Sequence, residues 1–278
     1  EVMRGGGSAL FGSSAIGGTI NIITKDPIVN SAEVANTTTF MGMEGAIDNN
    51  TTVNASLTTD NRKLGLMIYG QNRSRASYDD NGDGYTEIGE IKSKTIGARA
   101  FTRPSENTRL TLEYRATEEF RRGGDQLDKP AHEANITEQT DHQIHGGDIN
   151  FNYWTDDHKH KLNVYTSLQD TRRDSYYGSG MDPNAYGSTH DLVVLGGAQY
   201  TLGINKLLFM TAELMVGAEY NYNYLRDITL GYDHDYLQKV NIYSGFVQNE
   251  WRNDKWGFLI GARIDKHSLV DDVIVSPR

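Results

Sequence analysis

The densest chemistry in the 278-residue sequence is the stretch Asp79-Asp80-Asn81-Gly82-Asp83-Gly84-Tyr85-Thr86-Glu87-Ile88-Gly89-Glu90. Asp, Asn and Asp stand at alternate positions, Gly is sixth, a carboxylate is ninth and Glu is twelfth. This is the spacing with which a loop wraps one calcium ion. On that spacing the ligands are the side chains of Asp79, Asn81, Asp83 and Glu90, the carbonyl of Tyr85, and Glu87 directly or through water. The hard oxygens suit a structural calcium, and the glycine allows the sharp bend. Two features depart from the helix–loop–helix version: Thr86 takes the eighth position, where an apolar residue is usual, and the flanks read as strands. The competing reading is a solvated acidic hairpin.

Other candidate chemistry is thinner. His132-Glu133-Ala134-Asn135-Ile136 opens like a zinc-protease helix but has Ile where the second His must stand. His158-Lys159-His160 falls on a short turn and reads as solvated. The glycines of residues 1–18 lack the Gly-Lys-Ser/Thr of a phosphate loop and the spacing of a dinucleotide fingerprint. With no cysteine, disulfides, thiolate metal sites and cysteine nucleophiles are excluded. A net charge of −10 argues against nucleic-acid binding. No apolar run approaches the ~20 residues of a membrane-spanning helix.

The elements that must position these residues are strands. Leu110, Leu112, Tyr114 and Ala116 alternate with Thr111, Glu113, Arg115 and Thr117. The same period of two runs through 160–169, 213–224 and 256–265. Eleven strands are expected, at about 33–43, 49–59, 63–76, 92–103, 108–120, 139–154, 159–172, 190–202, 209–226, 237–252 and 255–267, with a twelfth starting at the C-terminus. Short turns are expected near 60–62, 104–107, 155–158, 203–206 and 252–255. Longer linkers are expected near 77–91, 121–138, 173–189 and 227–236. Long strands with one apolar and one polar face, joined by alternately short and long connections, describe an all-β chain folded as a transmembrane antiparallel β-barrel. Tyr153, Trp154, Trp251, Trp256, Tyr222 and Tyr224 are placed for its interfacial girdles.

The first residues narrow the family. Glu1-Val2-Met3-Arg4-Gly5-Gly6-Gly7-Ser8-Ala9-Leu10-Phe11-Gly12, then Gly17-Gly18-Thr19-Ile20-Asn21-Ile22-Ile23-Thr24, closely resembles the end of the plug domain of TonB-dependent outer-membrane receptors. Gly6 replaces a usual Pro and Phe11 a usual Tyr. Ser8–Gly12 reads as a short helical stretch and Thr19–Thr24 as a buried strand. Gly245–Trp251 with Gly261–Asp265 is similar to a mid-barrel hairpin of these receptors.

The resemblance implies two parts, the C-terminal end of a plug at 1–28 and the N-terminal half of a barrel of about 22 strands at 29–278. The chain then reads as a fragment of a longer bacterial outer-membrane protein. The implied function is active import of a ferric siderophore, haem or cobalamin, with the lipid bilayer and the TonB energy-coupling complex as partners and no catalytic cofactor. Cobalamin receptors of the family carry a similar Asp-rich calcium loop. Outer-loop residues Arg121, Arg122, Tyr176, Tyr177 and Tyr186 are the candidates for substrate contact. A barrel enzyme and a soluble carbohydrate-binding β-protein are the alternatives.

Overall fold

The computed structural model describes residues 2–3, 18–42 and 46–277. The expected helical stretch at Ser8–Gly12 lies outside the described residues. Two short strands, β1 (Val2–Met3) and β2 (Thr19–Ile20), pair antiparallel. All the remaining strands form one twelve-stranded antiparallel sheet in chain order. They are β3 (Ser31–Met41), β4 (Ala46–Thr58), β5 (Leu64–Arg75), β6 (Glu90–Thr102), β7 (Thr108–Gly124), β8 (Ile136–Trp154), β9 (His160–Ser179), β10 (Tyr186–Leu207), β11 (Met210–Thr229), β12 (His234–Arg252), β13 (Gly257–His267) and β14 (Val273–Pro277). The twelve strands expected from alternation are all present.

Register turns the alternation into two faces. Leu66, Ala100, Leu112 and Ile149 stand side by side on four consecutive strands. One residue along, Met67, Arg99, Glu113, Asp148 and Ser167 stand side by side on the other face. The burial pattern is inverted relative to a water-soluble sheet. Among the described residues fourteen polar side chains are buried against ten apolar ones, while Leu112, Val164, Leu168, Ile260 and Ile264 are exposed. A soluble protein buries its apolar face because water penalises it. Here the apolar face is the uncovered one, which fits hydrocarbon as its solvent.

Close approach on the polar face depends on two glycines. A Cβ on Gly97 would lie 2.3 Å from the Tyr69 ring, and one on Gly65 would lie 2.3 Å from Phe101 and 2.6 Å from the Pro27 carbonyl oxygen. Each aromatic ring therefore occupies the space a side chain would take on a glycine of the neighbouring strand. Gly65 also leaves room for the fully buried Pro27, which leads the chain onto the sheet.

Two connections share one design. Thr59-Asp60-Asn61-Arg62-Lys63 and Thr155-Asp156-Asp157-His158-Lys159 each bond the first threonine hydroxyl to the third side chain, at 2.7 and 2.6 Å. In each the third side chain accepts the fifth amide, at 3.0 and 3.1 Å. The fourth residue is left-handed, with φ 53° at Arg62 and 54° at His158. His158 is thus committed to a turn, and His160 bonds Tyr200 on the apolar face, so the His-Lys-His run gathers no ligand set.

Several expectations need correction. The turn expected at 203–206 is strand, because β10 runs on to Leu207 and reverses at Leu208 and Phe209. The long linkers shrink to 76–89, 125–135, 180–185 and 230–233. The reason is physical: above the apolar band both strand faces are polar, so the strand extensions carry no alternation to read. Strands β8–β12 reach 19–22 residues, well beyond the ~9–11 that cross hydrocarbon. The expected buried strand at Thr19–Thr24 is only Thr19–Ile20, with Ile20, Ile22 and Ile23 exposed. Its paired strand among the described residues is the two-residue β1. Trp154 pairs in register with Lys161 and lies on the polar face, opposite Tyr153. Trp251 and Trp256 do join a rim cluster, with Phe209 stacked 5.8 Å from Trp251 and Phe258 stacked 6.2 Å from Trp256.

Candidate functional site

Much of the charge on the polar face is held in paired sets. Arg99 holds Glu113 at 2.6 Å, and the Tyr69 hydroxyl donates to the same carboxylate at 3.1 Å. Asp26, on the segment leading into β3, bonds Arg109 at 2.7 Å and approaches Arg99 at 3.5 Å, tying that segment to the wall. Further round, Arg263 bridges Glu219 at 2.6 Å and Asp265 at 2.8 Å, and Ser244 donates to Asp265 at 2.5 Å. Tyr165 donates to Glu219. At the end bearing the longer connections, Arg73 grips Asp48 with two bonds of 3.0 and 2.6 Å, and Arg121 pairs with Glu119 at 2.6 Å. Sequence reading had not singled out the Arg99 and Arg263 sets. Their only signal was charge recurring every second residue, as in Arg263 and Asp265.

The structure divides the substrate candidates between faces. Arg121 and Tyr177 lie on the polar face and are exposed. Arg122, Tyr176 and Tyr186 belong to the opposite face, where the 125–135 and 180–185 connections pack together. Tyr176 is fully buried with Ala131 and Ala185, its ring edge-on to Tyr186 at 4.9 Å. Its hydroxyl donates to the Asp182 carbonyl at 3.0 Å. Tyr186 meets His132 at 2.9 Å, and Arg122 is buried. These three hold connections together, whereas Arg121, paired with Glu119, and Tyr177 are exposed on the polar face. His132 and Glu133 sit in a single 3-10 turn, Ala131–Glu133, so the helix face of a zinc-protease motif does not form.

Asp125 clamps this packing. Its carboxylate accepts the Ile136 amide at 3.0 Å and the Asn135 side-chain amide at 2.6 Å. Burial pushes its pKa up, but these hydrogen bonds outweigh that and hold the carboxyl below the usual range. A depressed folded value means the clamp is whole above the ordinary aspartate pKa, about 4, and is lost as pH falls through the folded value. Amide exchange at Ile136 should therefore stay slow down to about pH 4 and rise below it. Exchange that quickens already at pH 6 would assign the clamp to another group. Asp125→Asn should loosen it at every pH, since the new amide would face Asn135 donor to donor.

In the acidic loop the structure brings Asp79, Asp83 and Glu87 together, with ligand atoms from all three within 4.8 Å of one another. Asp79 accepts the amides of Gly82 and Gly84, each at 2.7 Å, and Asn81 bonds Glu87 at 3.1 Å. Gly82 and Gly84 take φ of 76° and 88°, which lets the loop double back. Tyr85 is exposed, its amide bonded to Asp83 at 2.9 Å. Glu90 opens β6 and pairs with Lys92 at 2.5 Å, outside the trio. The trio offers hard oxygen donors of the kind calcium takes.

No protein-family model matches the sequence, and no curated protein matches it. Solved structures do match in fold. The siderophore receptor PirA of Acinetobacter baumannii is 17% identical with a TM-score of 0.76, over 99% of this chain and 44% of that one. The ferric enterobactin receptor PfeA of Pseudomonas aeruginosa, in complex with enterobactin, is 16% identical with a TM-score of 0.75, over 99% and 45%. The outer-membrane transporter YddB of Escherichia coli is 11% identical with a TM-score of 0.62, over 84% and 36%. The chain thus spans less than half the length of each. In these terms the apolar face is the outside of a barrel wall and the polar face its lumen side: the chain has the fold of part of an outer-membrane receptor β-barrel.

Proposed function

We propose that this chain is part of a bacterial outer-membrane receptor that imports a scarce nutrient as a metal chelate, energised through TonB. The observation that carries the reading is the inverted wall, with its apolar face exposed, its charges paired on the lumen face, and a fold shared with siderophore receptors. Arg121 and Tyr177 support an anionic, aromatic-compatible substrate, since guanidinium and phenol groups serve carboxylate or catecholate oxygens and flat rings. A ferric siderophore fits that pairing, with haem and cobalamin as the other outcomes of a binding panel. Equilibrium binding of a ferric catecholate, a ferric hydroxamate, haem and cobalamin to the complete polypeptide tests it. One class should bind saturably and weaken at least tenfold in Arg121→Ala and Tyr177→Ala. No binding by any class would end the reading.

Calcium at the acidic loop belongs to the same proposal, as a structural ion held by Asp79, Asn81, Asp83 and Glu87. The Tyr85 carbonyl completes the set, and Glu90 joins it by leaving Lys92. Affinity on the order of 10⁻⁴–10⁻³ M is expected, as for extracellular calcium modules. Calorimetry should show calcium binding that Asp83→Ala removes. No heat at millimolar calcium leaves a solvated acidic hairpin.

A further inference from the structure

The loop between β5 and β6 holds the one Asn-Gly pair of the sequence, Asn81-Gly82, and its one Asp-Gly pair, Asp83-Gly84. Both glycine amides donate to a single side chain: Gly82 to Asp79 Oδ1 and Gly84 to Asp79 Oδ2, each at 2.7 Å. The residue before each glycine accepts the amide two positions on. Asn81 Oδ1 takes the Asp83 N–H at 2.8 Å, and Asp83 Oδ1 takes the Tyr85 N–H at 2.9 Å. Asn81 Nδ2 donates to Glu87 Oε1 at 3.1 Å, which fixes the way the amide faces, because an oxygen there would meet a carboxylate.

These bonds supply the parts of a ring closure. In an Asn-Gly pair the glycine nitrogen can attack the asparagine side-chain carbon and close a five-membered imide. A Cβ on Gly82 would meet nothing within 4 Å, and glycine carries none to hinder the approach. Asp79 is placed on the Gly82 N–H as a general base. The Asp83 N–H is placed on the Asn81 oxygen, where negative charge develops. The loop thereby holds nucleophile, base and oxyanion donor around one carbonyl. Asp83-Gly84 shares the arrangement, but an ionised carboxylate is a poor electrophile, so the asparagine reacts first.

We infer that Asn81 is a self-modification site, which the folded loop converts through a cyclic imide to aspartate and isoaspartate. The Gly82 nitrogen gives its proton to Asp79 and bonds to Asn81 Cγ. The Cγ–Nδ2 bond breaks, and ammonia leaves with the proton returned from Asp79. Water then opens either C–N bond of the imide, and one opening restores the backbone while the other lengthens it. The reaction consumes only water, and every group it uses lies within residues 79–84. It does not depend on calcium or on what the protein imports. It adds a sixth carboxylate to the five of Asp79–Glu90, in one irreversible step.

The test is peptide mapping of the complete polypeptide, incubated at neutral pH with a chelator, beside the isolated peptide of residues 78–90 and the Asp79→Asn variant. The fragment containing Asn81 should gain the mass difference between an amide and an acid. Isoaspartate should be among its products, which direct hydrolysis of the side chain would not give. Conversion should be faster in the folded protein than in the peptide, and Asp79→Asn should slow it by about tenfold or more. The peptide has the same residues without the fold, so it keeps the comparison sound if the variant disturbs the loop. Asn81 that stays intact in the protein while the peptide converts, product without isoaspartate, or an unchanged rate in Asp79→Asn would overturn the inference.

Discussion

Arg263→Met should destabilise the folded barrel by about 3–5 kcal/mol, the range for removing one partner of a buried ion pair. Arg263 is 6% exposed at its side chain, and its partners Glu219 and Asp265 are 15% and 4% exposed. Taking away the guanidinium leaves two carboxylates close together, with Tyr165 and Ser244 donating to them. The loss is therefore mostly the cost of uncompensated charge rather than the worth of the contacts. For that reason Arg263→Met combined with Glu219→Gln and Asp265→Asn should recover more than half of it. Urea unfolding of the complete polypeptide in vesicles measures both. A single variant that loses under about 1 kcal/mol would mean that water screens the set, as it does surface pairs.

Leu112→Arg should cost roughly 2–4 kcal/mol, the penalty for a charge on the hydrocarbon-facing side near mid-bilayer. Leu112 is 43% exposed at the centre of the apolar face, between Ala100 and Ile149. Its comparison site must be on the lumen face but not packed. Thr111 is 5% exposed and would be overfilled by any larger side chain. Ser167 stands beside Asp148 on the lumen face and is half-buried, so Ser167→Arg gains a carboxylate neighbour and should cost less than about 1 kcal/mol. Equal penalties at the two sites would reverse the assignment of faces.

The strands were legible because alternation is a local signal: Leu110 to Ala116 or Trp256 to Ile264 shows its period whatever lies beside it. What lay beyond the apolar band was not legible. Arg173–Ser179 and Tyr186–Thr189 are strand held by cross-strand pairing, but their polar faces read as linker. Pairing across strands was hidden for a related reason. Arg99 meets Glu113, and Arg263 meets Glu219, only once turn lengths set the register, and a one-residue shift would send each to the other face. The turn misplaced at 203–206 shows how small that margin is. Residue type alone put Tyr176 with Tyr177 as equals, yet they point to opposite faces, one buried in loop packing and one open. The acidic loop was readable as spacing, but Glu90 pairs with Lys92, two residues past the motif, and stands in β6 outside the trio.

The central claim is import through an outer-membrane barrel, and energy-coupled uptake tests it most directly. Cells making the complete polypeptide should accumulate the radiolabelled ferric chelate that binds in the panel. Deleting TonB should abolish accumulation while leaving surface binding intact. Accumulation that continues without TonB, or chelate that binds and never enters cells with TonB present, would contradict the account.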